Sequence, residues 1–312
     1  MSIPSEIYKK IKPAVVAIVS KYSKSPDFPD IIGTGFIVDE SGIILTNNHV
    51  INAINLLPRR KNDPTSIPIQ VILFHNVPDL GMLTIHVDVE AVSNTIREKE
   101  IDGVHYGEDI PDIGAIYVKA KGLPFVEIDK ALSVEEGDEV FISGFPMGTS
   151  TLKSAGWLHQ FSPILQRGIV SAILPFVCES PHGIIVEAVT HGGSSGSPIF
   201  NPTNGKIVAI LFAGFPETKI LGKGENGKLI TYTNSTSLTY AIPSPLLHIM
   251  YKKILRPTDP ETGNEVIRNL DSYKTLEEII LTQKKIKREP KKISTDGYDV
   301  LGPDDFIKPN TI

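Results

Sequence analysis

The segment HGGSSGSPIFN, residues 191–201, has the composition of a turn that presents a nucleophilic serine. Such a serine needs a tight turn, with backbone N–H groups free to meet a developing oxyanion. Gly193 and Gly196 have no side chains and so permit the close backbone packing of such a turn. Pro198 helps to set the turn. The string could also be a flexible loop, but it lies between two strand-like runs, GIIVEAV and KIVAILF, where a linker is out of place. We therefore predict Ser195 as nucleophile, with the N–H groups of Gly193 and Ser195 as its oxyanion hole.

A serine hydroxyl becomes a good nucleophile only when a base takes its proton, so a histidine is required. His49 is favoured among the eight histidines, because it follows ILTNN at a strand end where a side chain can face a cleft. His191 could line the cleft, although it fits equally well as a simple turn residue. The others have less distinctive surroundings and are read as surface or packing residues: His75, His86, His105, His159, His182 and His248. We predict His49 as the general base.

The base in turn needs a carboxylate that holds the imidazole in one tautomer and stabilises its protonated form. Asp112 opens DIGAIYVKA, an acid followed directly by an apolar strand, which suits a partly buried carboxylate at a barrel edge. Asp109 is the competitor, because EDIPD contains both acids. Asp109 falls before a proline in what reads as an exposed loop. We therefore predict that Asp112 orients His49.

Composition narrows the classes of partner and compartment. The formal net charge is −5, from 31 basic and 36 acidic residues, so it favours neither nucleic acid nor an acidic membrane surface. The single cysteine, Cys178, rules out an intramolecular disulfide and is read as a buried inert thiol. The N-terminal apolar run, residues 14–19, is short and lacks a convincing cleavage site. We expect a soluble, cytoplasmic protein.

The sequence contains no motif that predicts metal or nucleotide chemistry. Neither HExxH nor a cysteine cluster occurs, so no metal site is predicted. A GxxxxGK string runs from Gly222 to Lys228, but Leu229 replaces the Ser or Thr that binds magnesium, and a strand rather than a helix is expected next. The basic run KKIKREPKK is typical of a solvated helix end rather than a nucleic-acid patch. We expect no cofactor, no metal and no nucleic-acid partner.

The elements that must position these residues are strands. From residue 13 to about 245, short β-branched runs recur between turn residues, about a dozen in all, which two closed barrels would accommodate without long open edges. GTGFIVDESGIILTNNHV predicts a hairpin that delivers His49 to a strand end, and SPLLHIMYKKIL predicts a helix packed on a barrel. Residues 255–312 read as a linker, one amphipathic helix in DSYKTLEEIILTQKKIKRE, and a poorly patterned tail.

Several segments, in order, resemble the HtrA/Deg branch of the trypsin-like serine peptidases. They are GTGFIVDESGIILTNNHVI, PDIGAIYV, GDEVFISGFPMG, RGIVSAI, GGSSGSPIF and YAIPS. The resemblance spans roughly residues 5–255 and implies two antiparallel six-stranded β-barrels, about 10–120 and 121–245, in a protease domain of residues 1–254. It implies that His49, Asp112 and Ser195 are catalytic, and the chain order His, Asp, Ser agrees with that fold.

The same resemblance implies a serine endopeptidase that acts on protein or peptide substrates through an acyl-enzyme. It places Val189, Thr190, Ala213 and Gly214 around the pocket for the residue that precedes the cut. No acid occupies the base of this pocket, so we expect a preference for small or medium apolar side chains over Lys or Arg.

Departures from the family pattern concern the turn and the loops. Ser194-Ser195-Gly196-Ser197-Pro198 stands where the family usually has Asn-Ser-Gly-Gly-Pro, so Ser197 adds a side chain that could reshape the hole at rest. His49 and Asp112 are 63 residues apart (112 − 49), longer than is usual in the family, which predicts enlarged loops in PRRKNDPTS and IREKEIDGVHYGEDIP.

Regulation is expected to differ as well. We expect neither a PDZ domain nor a signal peptide or membrane anchor, and we expect conditional activation through loops, oligomerisation or a regulatory protein that docks on the loops or the C-terminal tail. The alternative is a catalytically silent trypsin-like scaffold that serves as a protein-binding module.

Overall fold

The computed structural model describes most of the chain. The described residues are 3–21, 30–60, 63, 66–77, 81–94, 100–101, 104–105, 111–148, 162–175, 181–223, 227–255, 268–288 and 306–307. Asp109, Cys178 and the predicted linker at 256–266 lie outside them. No helix in the described ranges combines the length and apolarity needed to cross a membrane.

The first half of the chain forms one closed barrel. Its elements are helix α1 (Ile3–Ile11), a 3-10 helix (Lys12–Ala14), β1 (Val15–Ser20), β2 (Ile31–Asp39), β3 (Ile43–Thr46), α2 (Asn48–Asn55), β4 (Arg59–Arg60), β5 (Ile69–Val77), β6 (Gly81–Asn94), β7 (Glu100–Ile101), β8 (Val104–His105), β9 (Gly114–Val118) and β10 (Ala120–Lys121). Six of the strands close in the order β1-β2-β3-β9-β6-β5, and every pair is antiparallel.

The second half repeats this architecture. Its elements are β11 (Glu139–Gly144), β12 (Ile164–Leu174), β13 (Gly183–Glu187), β14 (Pro198–Phe200), β15 (Ile207–Lys223), β16 (Leu229–Pro243), α3 (Ser244–Leu255), β17 (Lys274–Thr275), α4 (Leu276–Arg288) and β18 (Phe306–Ile307). The order β11-β12-β13-β16-β15-β14 closes a second barrel. Two six-stranded antiparallel barrels with a C-terminal helix confirm the predicted all-β fold.

Burial explains why the apolar runs become these strands. Every residue of β1 and β3 is buried, because one face of each strand fills the barrel and the other is covered by neighbouring elements. Leu246 and Leu247 of α3 are at most 1% exposed and belong to the same core cluster as the first barrel. The helix that SPLLHIMYKKIL predicted therefore packs as expected.

Residues 268–288 also lie against the first barrel. Arg268 donates from Nε to Glu90 Oε2 (2.9 Å), and β17 pairs in parallel with β10. Leu276 and Ile280 of α4 are buried in the core cluster of that barrel. The sequence predicted the helix but not this contact, because Arg268 and its partners are far apart along the chain.

The hairpin of β15 and β16 extends well beyond the second barrel. The two strands stay paired to Lys223↔Leu229, and only their proximal parts pair with β14 and β13. In the GxxxxGK string, Gly222 lies in β15 and Lys228 directly precedes β16, so a strand follows the string. This context is wrong for a phosphate-binding loop, which requires a following helix.

Candidate active site

His49 and Asp112 are brought together by neighbouring strands. His49 is the second residue of α2, which begins directly after β3, and Asp112 lies just before β9. Strands β3 and β9 are antiparallel neighbours with Thr46 opposite Gly114, so the end of one lies beside the start of the other. The 63-residue separation in sequence therefore leaves the two side chains adjacent.

The carboxylate of Asp112 accepts two hydrogen bonds from His49. Its Oδ1 accepts from the backbone N–H of His49 (2.8 Å), and its Oδ2 lies 2.5 Å from Nδ1. Asn47 Nδ2 donates to the Asp112 carbonyl oxygen (2.9 Å), which fixes the backbone before β9. Because a carboxylate can only accept, the ring hydrogen is assigned to Nδ1, and Nε2 keeps a lone pair able to take a proton.

The turn that carries Ser195 requires its glycines. Gly193 has φ +93° and Gly196 has φ +85°, conformations that L side chains rarely adopt. A Cβ at Gly193 would lie 2.5 Å from Phe145 O, and one at Gly196 would lie 2.0 Å from Thr34 O. The crowded, small-residue turn inferred from sequence is therefore present between β13 and β14.

Hydrogen bonds within and around the turn hold most of its backbone. The N–H of Ser194 donates to His191 O, and that of Ser197 donates to Ser194 O, both at 3.0 Å. The N–H of Gly196 donates to Leu211 O, also at 3.0 Å. These bonds fold the chain tightly around Ser195.

Two N–H groups of the turn stand apart from this network. Within the described part of the chain, neither the N–H of Gly193 nor that of Ser195 has a hydrogen-bond acceptor. These are the two donors that the sequence assigned to an oxyanion hole. Unpaired backbone donors on a tight turn are what oxyanion stabilisation requires.

The helix that carries His49 meets the Ser195 turn at Gly33 of β2. A Cβ on Gly33 would lie 2.9 Å from Val50 Cγ2 and 3.4 Å from Ser195 O. Helix α2 and the Ser195 turn therefore both pack against this glycine. No hydrogen bond joins the His49 ring to the Ser195 hydroxyl in the described residues. Such bonds are often long in ligand-free enzymes and tighten when substrate binds.

A cavity of about 250 Å³ opens beside Ser195. Thr190, Ala213 and Gly214, which the resemblance places around the specificity pocket, line this cavity, and His191 lines it too. His191 therefore takes the cleft position that was one of the two interpretations of this residue.

Val189 does not line this cavity. Ala188 and Thr190 are each 6% exposed whereas Val189 is 48% exposed, because successive side chains of an extended segment point to opposite sides. Its predicted substrate-binding role stays a prediction without support from the cavity.

Sequence reasoning missed two aromatic walls of the cavity, Phe212 and Phe215. Phe215 stacks on Tyr240 with ring centroids 3.9 Å apart, and Phe212 lies 5.8 Å from the same ring. The signal that could have found them was their position on either side of Ala213 and Gly214.

Comparison with known proteins identifies the family. Residues 33–210, more than half of the chain, match the family model described as trypsin-like peptidase domain. The chain belongs to this family. The matched range agrees with the fold, since it runs from β2 through the Ser195 turn to β15.

Named relatives are HtrA-type proteases. The chain is 27% identical over 211 residues to serine protease HTRA1 of Xenopus laevis, covering 66% of this chain and 37% of that protein. It is 26% identical over 183 residues to a probable periplasmic serine endoprotease DegP-like of Ectopseudomonas mendocina, covering 57% and 28%. The chain thus spans about a third of the length of these relatives.

Among solved structures, the serine endoprotease from Yersinia pestis is similar with a TM-score of 0.48 and 20% identity, over 82% of this chain and 67% of that one. The family match therefore shows a trypsin-like peptidase domain, and both named relatives are serine proteases or endoproteases.

Ser197, a departure from the HtrA-like pattern, is buried against Gly144 of β11. It is 1% exposed, and a Cβ on Gly144 would lie 1.9 Å from its Oγ. The missing side chain at Gly144 therefore makes room for the Ser197 hydroxyl, which has no hydrogen-bond partner among the described residues. The additional side chain of Ser197 is therefore buried within the second barrel.

Proposed function

We propose that this chain is a serine endopeptidase that hydrolyses peptide bonds through a Ser195–His49–Asp112 triad and an acyl-enzyme. The observation that carries the proposal is the pair of hydrogen bonds that Asp112 accepts from His49 (2.5 and 2.8 Å), which selects the tautomer with a free Nε2. The unpaired N–H groups of Gly193 and Ser195 supply the second requirement, a place for the oxyanion.

The steps follow from these groups. His49 Nε2 takes the proton of Ser195 Oγ as Oγ bonds to the substrate carbonyl carbon, and the negative charge moves to the carbonyl oxygen. The protonated His49 then gives its proton to the leaving amine, so the C–N bond breaks and an ester of Ser195 remains. Water attacks this ester with its proton passing to His49, which returns it to Ser195 Oγ as the acid product leaves. Each oxyanion donor contributes about 10²- to 10³-fold in rate.

Specificity for small or medium apolar side chains is part of the proposal. The cavity beside Ser195 has aromatic walls from Phe212 and Phe215, and no carboxylate is among its described lining residues. A Cβ on Gly214 would lie 2.6 Å from Thr190 Oγ1, so the space between them is narrow. Cleavage profiling with a peptide library should give apolar residues before the cut, and dominance of Lys or Arg would contradict this assignment.

Conditional activation is proposed for the same site. The peptide between Gly192 and Gly193 has no hydrogen bond in the described part of the chain, unlike the peptides that follow it in the turn. The Gly193 N–H, one of the two proposed oxyanion donors, therefore belongs to the peptide of the turn that has the fewest hydrogen bonds. A regulatory protein or oligomeric contact that fixes this peptide would raise the rate.

The cytoplasmic location expected from the N-terminal sequence stays a prediction. One relative is named as a periplasmic protein, so the relatives give this expectation no support. Protein or peptide substrates remain the proposed partners, and HtrA-like relatives are consistent with them.

A fluorophosphonate probe tests the proposal, because it labels an activated serine. Wild type should be labelled, whereas Ser195→Ala and His49→Ala should not. Ser171→Ala, which removes an exposed serine of β12, should be labelled as wild type is. Wild type that resists labelling in every condition tried, including with added peptides, would favour the silent-scaffold alternative.

A further inference from the structure

Thr34 of β2 contacts the Ser195 turn from the other barrel. Its side chain is fully buried, and its hydroxyl donates to Gly193 O at 2.7 Å. The same hydroxyl accepts from the N–H of Phe145 (3.1 Å), and the Thr34 N–H donates to Ser195 O (2.9 Å). Thr34 therefore binds the carbonyl oxygens of the two residues whose amides would form the oxyanion hole.

One peptide of the turn has hydrogen bonds on both its oxygen and its N–H, and the Thr34 hydroxyl supplies one of them. The peptide that joins Gly193 to Ser194 has its oxygen bound by Thr34 Oγ1 and its N–H bound by His191 O. A peptide plane fixed by bonds on both sides cannot rotate without breaking one of them. The hydroxyl thus fixes the backbone immediately after the Gly193 N–H.

A second peptide is tied by the Thr34 backbone. The peptide that joins Ser195 to Gly196 has its oxygen bound by the Thr34 N–H and its own N–H bound by Leu211 O. The peptide between these two, which carries the Ser195 N–H, is therefore flanked by fixed planes. Its N–H keeps its direction without any acceptor of its own in the part of the chain that the structure describes.

From these contacts we infer that Thr34 is a positioning residue for the oxyanion hole, acting through the carbonyl oxygens of Gly193 and Ser195. The inference rests on the proposed peptidase function. The side-chain hydroxyl is the element that a substitution can remove, since any residue at 34 other than proline keeps the backbone bond. Its loss would leave the partly buried carbonyl oxygen of Gly193 without this donor and allow that peptide to turn away.

The competing explanation is that Thr34 is merely a buried, hydrogen-bonded core residue. Both explanations predict lower thermal stability after Thr34→Val, which keeps the shape but removes the hydroxyl. Only the positioning role predicts a slower chemical step with unchanged probe binding. The conservative Thr34→Ser keeps the hydroxyl and should restore that step.

The experiment compares fluorophosphonate kinetics of wild type, Thr34→Val and Thr34→Ser, well below the melting temperature of each. Tyr8→Phe is the matched control, because it removes a half-buried hydroxyl bound to Ser143 Oγ and Pro163 O. Thr34→Val should lower the maximal labelling rate at least about tenfold, with the half-saturating probe concentration changed less than about threefold. Thr34→Ser and Tyr8→Phe should stay within about threefold of wild type.

Amide hydrogen exchange of the segment 191–197 gives a readout that needs no activity. Thr34→Val should speed exchange of that segment at least about tenfold, whereas Tyr8→Phe should leave it unchanged. Unlabelled wild type would overturn the peptidase proposal, and this exchange result would still decide whether Thr34 holds the turn. Labelled wild type with equal labelling and equal exchange in Thr34→Val would overturn the inference and leave the peptidase proposal standing.

Discussion

Replacing Asp112 by asparagine is the sharpest test of the proposed base. The two oxygens of Asp112 accept from different donors of His49, the backbone N–H at 2.8 Å and the ring Nδ1 at 2.5 Å. The backbone N–H is always a donor, so the oxygen of the introduced amide must face it. The amide NH₂ then faces Nδ1, which has to accept.

The substitution therefore reverses the tautomer of the His49 imidazole. When Nδ1 accepts, the single ring hydrogen of neutral His49 lies on Nε2, which can no longer take the proton of Ser195 Oγ. Flipping the amide would restore Nδ1 as donor but would place the NH₂ against the backbone N–H. We expect Asp112→Asn to lower kcat by about 10⁴-fold, or about 5 kcal/mol of transition-state stabilisation at about 1.36 kcal/mol per tenfold, as for the same change in other such triads.

Labelling rates with the fluorophosphonate probe measure this loss, and thermal unfolding reports whether the variant folds. The matched control is Asp109→Asn, which changes the competing acid of EDIPD in the same way. It should label at the rate of wild type. A rate for Asp112→Asn within about tenfold of wild type would refute the assignment, as would a loss of about 10⁴-fold in Asp109→Asn alone.

Three further changes test how the surrounding structure supports the site. Ser197→Ala removes a buried hydroxyl without a partner among the described residues, so urea unfolding should show about 1 kcal/mol of added stability, and a loss of that size would mean the hydroxyl is paired. Arg268→Ala breaks the bond with Glu90 (2.9 Å) at side-chain exposures of 14% and 29%, so the free energy of unfolding should fall by about 2–3 kcal/mol; a change below about 0.5 kcal/mol would show that this ion pair adds little to stability. Burial and the nearby Asp39 carboxylate raise the pKa of Tyr251 to about 12. Stability from its neutral hydroxyl should be present below about pH 10 and lost as pH rises through about 12, and Tyr251→Phe should flatten this part of the pH–stability curve; an unchanged curve would contradict it.

The sequence predicted features whose signals are local. The acid before an apolar strand indicated Asp112, and the strand end in ILTNN indicated His49, because each side chain is positioned by the element beside it. The glycines around Ser195 were likewise informative, since positive φ values and close backbone contacts leave little choice of residue. Together with the family resemblance, these signals predicted the two-barrel fold and led to the proposed triad.

Features set by contacts between distant segments were missed. Thr34 and Gly193 are 159 residues apart, and Arg268 and Glu90 are 178 apart, so no window of sequence shows either pair. The same holds for Ser197 and Gly144, whose fit needs two strands of the second barrel in register. A threonine in an apolar strand and an arginine in a polar stretch look ordinary until their partners are known.

The proposed reaction is divided between the two barrels. His49 and Asp112 belong to the first barrel, whereas Ser195 and the cavity belong to the second. The proposed mechanism therefore predicts a reaction rate that depends on hydrogen bonds between the barrels, and three hydrogen bonds of Thr34 cross between them. Two of these bonds end on the Ser195 turn, so a small shift of one barrel relative to the other would redirect the proposed oxyanion donors. The bonds between His49 and Asp112 lie within the first barrel, so the same shift would leave them intact. Control of such an enzyme is accordingly expected to act on the oxyanion hole while the base and its carboxylate stay in place.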